Sequence, residues 1–240
     1  MRWPLTVLCL LVMPVVPGHA YGQSSGTVYT ASWADVAAVS ASGVASLLPG
    51  LLKLPSGAPS CAPCSTSGLP GIDRWVVGRS SSLAGSGSNV MLAGVGGVSA
   101  YLVTHDLTAS QVRGNLAVLA NSISWTAAST EWLKVLVHRK RPVLYTSGAV
   151  AAAAAPDNQR SFPSGHTSVA FSIASAYLVM GQREHLPHHT RNTLLLFAGA
   201  AGIGVLRVTS GSHFPTDVLG GAALGTGVGA LVAVLHPHRP

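Results

Sequence analysis

Long runs of apolar and small residues alternate along the chain with short polar stretches. Five of these runs have the length and the spacing of apolar residues expected for helices, at 89–105, 114–137, 166–181, 192–208 and 216–235. No strict alternation of apolar and polar residues is long enough to predict a strand. The pattern therefore predicts an all-α fold, a bundle of helices.

The first third of the chain has a different pattern. After a polar leader, residues 30–54 are predicted to form an amphipathic or interfacial helix that ends at proline and glycine residues. Residues 55–88 are rich in Ser, Gly and Pro, which indicates a long loop. We expect residues 21–88 to form an extracytoplasmic polar and loop region, and residues 89–240 to form the functional domain.

The composition favours a membrane protein. Only 9% of the residues are charged, where an ordinary soluble domain has about 25%, and the mean hydropathy is +0.43. The helical runs lie near the length of about 20 apolar residues that a helix needs to cross a bilayer. We expect a polytopic membrane bundle of five to six helices, with a soluble secreted helical domain as the alternative. The placement of Lys and Arg does not indicate an orientation.

The N-terminal residues 1–20 have the pattern of an export signal. Arg2 is followed by an apolar run from Leu5 to Val16 and then by the small-residue sequence GHA. The run is short for a membrane span and contains two prolines. It predicts a signal peptide, with an N-terminal anchor as the alternative. In either case the residues that follow are expected outside the cytoplasm.

The formal net charge of +7 raises the question of a nucleic-acid partner. The basic residues are scattered, apart from the sequence HRKR at 138–141, and no face combines basic with aromatic residues. We therefore expect no nucleic-acid partner. An anionic lipid or an anionic substrate fits this charge better. The oligomeric state is not predicted.

Two cysteines, Cys61 and Cys64, stand in the sequence CAPC. A redox motif of this spacing requires a βαβ setting, and no such setting is predicted nearby. A zinc site requires further Cys or His ligands at suitable spacing, and none follow. The remaining interpretation is a local disulfide that tightens a loop in an oxidising compartment.

Three polar clusters interrupt the apolar pattern, and the first is KVLVHRKRP. Lys134 and Arg141 are seven residues apart, or two helical turns, so both can fall on one helix face. Pro142 biases Arg141 away from helical geometry, so the helix is expected to end there. The cluster suits either anion binding or a basic patch that contacts lipid head groups.

The second cluster is FPSGH, at the start of a predicted helix. Ser164 is a favourable N-cap residue, and Gly165 lets a backbone N–H approach an anion closely. The unsatisfied N–H groups and the dipole of a helix start attract anions such as phosphate. His166 would face the same point. The alternative is an ordinary capped helix with an incidental histidine.

The third cluster is RVTSGSHFPTD. His213 follows Arg207 by six residues, and Asp217 follows His213 by four. An aspartate at that spacing can accept a hydrogen bond from Nδ1–H of the histidine, which leaves Nε2 free as a nucleophile. The alternative is a structural His–Asp bond at a helix cap.

In this order, the three clusters resemble the tripartite signature of the type 2 phosphatidic acid phosphatases. Their superfamily also contains bacterial non-specific acid phosphatases and vanadium haloperoxidases. The resemblance covers roughly residues 90–235, with one visible departure. The family often has Ser before the arginine of the third cluster, and this chain has Leu206. One supporting hydrogen bond is therefore expected to be missing.

The resemblance implies a phosphate site of five residues. Lys134, Arg141 and Arg207 would bind the phosphate oxygens, with arginine suited to bidentate contacts and lysine acting as a point charge. Ser164 and the N–H of Gly165 would complete the site. Fixed cations can supply the charge stabilisation that a metal gives elsewhere, so neither a metal nor another cofactor is expected. Vanadate is expected to inhibit.

The resemblance also implies three catalytic roles. His213 would be the nucleophile that forms a phosphohistidine, and Asp217 would hold its ring in the required tautomer. His166 would be the general acid that protonates the leaving alcohol.

Because the clusters lie at one end of their helices, an exported N-terminus would place the active site on the extracytoplasmic side of the cell membrane.

The leading functional prediction is a phosphatase for a phosphomonoester or pyrophosphate of a lipid. Phosphatidic acid, phosphatidylglycerol phosphate and isoprenyl pyrophosphate are examples of such substrates. The second is a soluble, periplasmic or secreted acid phosphatase for small phosphomonoesters. A vanadium haloperoxidase is a remote third, because those enzymes are considerably longer. A membrane structural protein with decayed motifs is disfavoured, because every residue with an assigned role is present.

Overall fold

The computed structural model describes residues 28–239. The predicted signal peptide or anchor, residues 1–20, lies outside the described residues, as does most of the polar leader. Eight helices and one two-stranded antiparallel sheet make up the described chain. They are β1 (Val28–Tyr29), α1 (Trp33–Leu51), α2 (Gly71–Arg74), α3 (Ser82–Leu102), α4 (Ala109–Val137), α5 (Ala149–Ala152), α6 (Gly165–Arg183), α7 (His189–Thr209), α8 (Pro215–Leu235) and β2 (His238–Arg239). The predicted all-α fold is confirmed.

The five predicted helices correspond to α3, α4, α6, α7 and α8, and two of them begin five or more residues earlier than predicted. Helix α3 begins at Ser82 because the Ser81 hydroxyl accepts a hydrogen bond from the N–H of Ala84. Helix α4 begins at Ala109 because Thr108 and Gln111 form a capping box. The predicted loop at 55–88 therefore contains the first residues of α3 and the short helix α2.

Helix α1, which the sequence pattern predicts as an amphipathic or interfacial helix, packs along α4. Asp35 near the start of α1 contacts Asn121 of α4, and Ser42, further along α1, contacts Ser124, further along α4. The two helices are thus parallel. Three helices, α1, α7 and α8, are long and apolar enough to cross a membrane. This agrees with the expectation of a helical membrane protein.

Helix α6 lies at the centre of the bundle and packs against α3, α4, α7 and α8. Its closest neighbour is α8, whose buried glycines 221, 225 and 229 recur every fourth residue. A Cβ at Gly225 would overlap the carbonyl oxygen of Ser168 on α6. Small residues at this spacing allow helix backbones to approach closely, as in membrane helix pairs.

The bundle has two distinct ends. At one, which we call the site end, α4 and α7 finish and α6 and α8 begin. At the opposite end, Val28 pairs with Arg239 in the small sheet, so both ends of the described chain lie together there. Because α1 runs parallel to α4, it carries the chain from the opposite end to the site end.

The loop after α1 covers the site end. Cys61 and Cys64 form a disulfide in this loop. The N–H of Cys64 donates to the carbonyl of Leu144, in the 3₁₀ turn Pro142–Tyr145 that directly follows Arg141. The disulfide and the three polar clusters are therefore at the same end of the bundle.

The packing of α8 on α6 predicts the effect of adding single methyl groups. Gly225→Ala should lower the free energy of unfolding by about 1 to 3 kcal/mol, because the helices must separate to admit the methyl group. Gly227→Ala is the matched control, since no neighbouring atom lies within 4 Å of its added Cβ. Thermal unfolding in detergent measures both. Equal stability of the two variants would contradict the packing described.

Candidate active site

The three polar clusters meet in one cavity of about 410 Å³ at the site end. Of the eight predicted catalytic and phosphate-binding residues, six line it: Lys134, Arg141, Gly165, His166, Arg207 and His213. Ser164 and Asp217 are fully buried beside it. Ser164 occupies the N-cap position of α6, but its hydroxyl bonds the Thr167 hydroxyl, 3.0 Å away, and makes no capping bond.

Local backbone geometry sets the positions of Lys134 and Arg141. Lys134 lies in the last turn of α4, which His138 ends in a left-handed conformation (φ 51°). Arg141 is extended (φ −73°, ψ 159°), as the following Pro142 requires. The chain thus turns back so that the arginine faces the same cavity as the lysine.

Gly165 begins α6 directly against the Lys134 side chain. A Cβ at this position would lie 3.3 Å from Nζ of Lys134. Because glycine has no Cβ, the first N–H groups of this 19-residue helix lie close to a cation. Together with the helix dipole, this arrangement favours an anion in the cavity.

Two carboxylates in the cavity pair with these cations. Nζ of Lys134 is 2.6 Å from Oε1 of Glu131, whose other oxygen bonds Arg160. Nη2 of Arg141 is 2.7 Å from Oδ2 of Asp157. Neither acid was predicted from the sequence. Glu131 could have been found from its position three residues before Lys134 on one helix, whereas nothing in the sequence indicates Asp157.

Helix α3 contributes two residues that the sequence analysis also missed. Nη1 of Arg207 donates to the hydroxyl of Ser88 on α3, 3.3 Å away. The family often has a Ser directly before this arginine, and in this chain α3 provides the hydroxyl instead. Leu206 instead points toward Gly87 of α3. Nε2 of His166 is 2.6 Å from Oδ1 of Asn89, which orients the ring at the cavity.

The side chains of His213 and Asp217 lie close together, but a backbone carbonyl is nearer to Nδ1 of His213 than the carboxylate is. Nδ1 of His213 lies 2.8 Å from the carbonyl oxygen of Ser161 and 3.6 Å from Oδ2 of Asp217. Asp217 instead accepts bonds from the Ser161 hydroxyl (2.5 Å), the N–H of Phe214 (2.8 Å) and Arg139. Because a carbonyl only accepts, Nδ1 carries the proton. Nε2 then remains unprotonated, with no hydrogen-bond partner among residues 28–239.

The surroundings of both histidines favour the neutral ring. Burial lowers the pKa of His213 to about 4, and Asp217 offsets only part of this effect. Burial, followed by the positive charges of Arg207 and Lys134, also lowers the pKa of His166 to about 4. A neutral His213 with a free Nε2 is a competent nucleophile. His166 requires a nearby anion to become protonated near neutral pH.

Among residues 28–239, no cluster of three or more His, Cys, Asp or Glu side chains is arranged to hold a metal ion. The ionisable groups that face the cavity are three cations, two histidines and two acids that are paired with cations. This arrangement can bind an anion.

Comparison with known proteins gives a family match and two named relatives. The model of the family described as PAP2 superfamily matches residues 115–240. The chain is 37% identical over 100 residues to decaprenylphosphoryl-5-phosphoribose phosphatase of Mycobacterium tuberculosis, a match that covers 42% of this chain and 49% of that protein. It is 33% identical over 114 residues to lipid A 1-phosphatase of Porphyromonas gingivalis, covering 43% of this chain and 24% of that protein.

The chain therefore spans about half the length of the first of these relatives and about a quarter of the second. No solved structure matches it.

The environment of His213 predicts an unusual titration. Its ring should stay neutral as the pH falls from 7 to 5 and should gain a proton only near pH 4, because its burial disfavours the imidazolium. NMR of the ¹⁵N-histidine-labelled protein in detergent measures this, with His213→Gln used to assign the signal. A midpoint near 6.5, the usual value for histidine, would contradict the buried environment.

Proposed function

The chain belongs to the PAP2 superfamily, and on this basis we propose that it is a membrane phosphatase that removes phosphate from a lipid or isoprenyl carrier. This family is the one that the three polar clusters predicted. The observation that carries the proposal is the meeting of three cations, the start of α6 and two histidines in one cavity. This combination suits phosphoryl transfer to a histidine.

The named relatives support a lipid-linked substrate. One is named for a decaprenylphosphoryl substrate and the other for lipid A. The cavity supports the same class, because Leu92, Ala127 and Val169 line it together with the polar groups. These three side chains come from α3, α4 and α6, so they offer the first carbon atoms of a hydrocarbon chain an apolar wall beside the phosphate site.

Phosphate binding would exchange one set of ion pairs for another. Lys134 and Arg141 would turn from Glu131 and Asp157 toward the phosphate oxygens. Glu131 keeps its contact with Arg160 after this exchange. The side chain of Asp157 is 61% exposed, so water can solvate it when it is displaced. The bound phosphate would thus replace carboxylates with little cost in buried charge.

In the chemical step, Nε2 of His213 attacks the phosphorus atom. A P–N bond forms and the bond from phosphorus to the leaving oxygen breaks, while His166 gives that oxygen a proton. A bound phosphate dianion would raise the pKa of His166, which is otherwise lowered by burial and then by Arg207 and Lys134. Water then attacks the phosphorus atom of the phosphohistidine while His166 accepts a proton from it. The P–N bond breaks, which restores His213, and inorganic phosphate leaves.

The cations would stabilise the negative charge on the equatorial oxygens throughout, so we propose that no metal is required. Vanadate adopts the same five-coordinate geometry as the transferring phosphoryl group. It should therefore bind at His213 and inhibit.

We further propose that the site end faces the extracytoplasmic side. The Cys61–Cys64 disulfide lies at that end, and disulfides persist in oxidising compartments. Residues 28 and 239 would then be cytoplasmic, because they pair at the opposite end. This differs from the expectation that the residues after the leader are exported. In this proposal α1 crosses the membrane beside α4, to which it runs parallel.

The substrate class can be measured with the purified protein in detergent and EDTA. Release of phosphate from phosphatidic acid or from a polyprenyl pyrophosphate should exceed release from p-nitrophenyl phosphate by about tenfold or more in kcat/KM, because binding of the chain lowers the barrier to reaction. Equal or faster release from the small ester would contradict the lipid assignment. It would favour a broad-specificity acid phosphatase with the same catalytic residues.

His213→Ala should lower kcat by about a thousandfold or more, because the covalent route is lost. His188→Asn is the matched control, since His188 is an exposed histidine at the opposite end, in a left-handed conformation that asparagine tolerates. Its rate should equal that of the wild type. A His213→Ala protein with near wild-type turnover would contradict the nucleophile assignment.

The orientation can be measured by labelling single cysteines in intact cells. In a background of Cys9→Ser, Cys61→Ser and Cys64→Ser, the variants Ser65→Cys and His238→Cys place exposed thiols at the two ends of the bundle. A membrane-impermeant maleimide should label Ser65→Cys and not His238→Cys until the cells are lysed. The reverse pattern would contradict the proposed orientation.

A further inference from the structure

A buried carboxylate outside the family match reaches the catalytic region. Asp73 lies in α2, before the matched residues 115–240, and is fully buried. Its Oδ1 accepts a hydrogen bond from the N–H of Thr216 (3.1 Å), and its Oδ2 accepts one from the Thr216 hydroxyl (2.6 Å). The start of α8 is therefore attached to a segment that the sequence analysis left without a role.

Arg139 joins this carboxylate to that of Asp217. Its Nη2 lies 2.6 Å from Oδ2 of Asp73, and its Nη1 donates to Oδ1 of Asp217. The guanidinium also lies over the ring of Phe214, 4.6 Å from its centre. One arginine thus bridges two fully buried carboxylates, which its planar fork of donors allows and a lysine would not.

The contacts continue from Asp217 to the ring of His213 through Ser161. The Ser161 hydroxyl donates to Oδ2 of Asp217 (2.5 Å), and its N–H donates to the carbonyl of Arg139 (2.8 Å). Its own carbonyl oxygen is the group that contacts Nδ1 of His213. Ser161 is therefore held by both Arg139 and Asp217, and it fixes the tautomer and direction of His213.

We propose that Asp73 and Arg139 are positioning residues for His213, acting through Asp217 and Ser161. The proposal rests on the phosphatase function proposed above. It gives the segment before α3 a part in catalysis: α2 supplies the carboxylate that keeps Arg139 in the orientation that Asp217 requires. Neither residue lines the cavity, so neither would contact the substrate.

A purely structural role for Asp73, that of attaching α2 to α8, has different consequences. It predicts that loss of the carboxylate lowers the stability of the fold but leaves kcat of the folded protein unchanged. A positioning role predicts a lower kcat with an unchanged KM, because the cations that bind phosphate are untouched while the nucleophile is misaligned.

The test uses the full-length protein in detergent. Asp73→Asn keeps the shape of the side chain and removes its charge. We expect kcat to fall by about 10- to 100-fold, the cost of a small misplacement of a reacting group, with KM within about twofold of wild type. Arg139→Gln should have a similar effect, and Arg139→Lys should recover part of kcat, since it retains one charged donor.

Glu184→Gln is the matched control. Glu184 is also a buried carboxylate, at the opposite end of the bundle, where it accepts hydrogen bonds from Asn115 and the N–H of Tyr29. The Glu184→Gln protein should lose thermal stability, as the Asp73→Asn protein does, while its kcat stays within about twofold of the wild-type value. If Asp73→Asn has no greater effect on kcat than this control, the positioning role is overturned.

A second measurement does not depend on turnover. The hydrogen-bonded Nδ1–H of His213 should give a proton signal that shifts or is lost in Asp73→Asn and is unchanged in Glu184→Gln. A signal unaffected by Asp73→Asn would overturn the inference about Asp73 and Arg139. Absence of phosphatase activity in the wild type would instead overturn the proposed function, so the two failures are distinguishable.

Discussion

The structure depends on holding several cationic side chains close together at one end of an apolar helical bundle. Like charges repel more strongly away from water, and burying each charge removes its hydration. Carboxylates offset both effects, since Lys134 pairs with Glu131, Arg141 with Asp157, and Arg139 with two buried aspartates. The pairs of Arg139 connect α2 and the start of α8 to the segment that follows α4. Lys134 and Arg141 line the cavity, where we propose that they bind phosphate.

A second constraint is the close approach of α6 and α8. Glycines every four residues along α8 let its backbone lie against that of α6. At the site end, the N–H of Ser164 donates to the carbonyl of Asp217, which fixes the two helix starts relative to each other. His213 precedes α8 by two residues and His166 is the second residue of α6, so the distance between the two histidines follows from the packing of these helix starts.

The long helices and the three clusters could be predicted because they depend on local pattern and spacing. The remaining parts could not, because they are contacts between residues distant in the chain. Asp157 pairs with Arg141 from a separate turn, and Ser88 reaches Arg207 from α3. The contacts of Ser161 with His213 and Asp217 belong to this class. Spacing brought His213 and Asp217 to within 3.6 Å of each other, but it could not indicate that Ser161 lies nearer to each of them than they lie to one another.

The central claim is that phosphate passes through Nε2 of His213. Rapid mixing with a ³²P-labelled lipid phosphate, followed by quenching in base, preserves phosphohistidine for peptide mapping by mass spectrometry. The account predicts label on the peptide that contains His213, formed at a rate no slower than kcat and lost on a chase with unlabelled substrate. Steady turnover with no labelled histidine, or label on another residue, would contradict it.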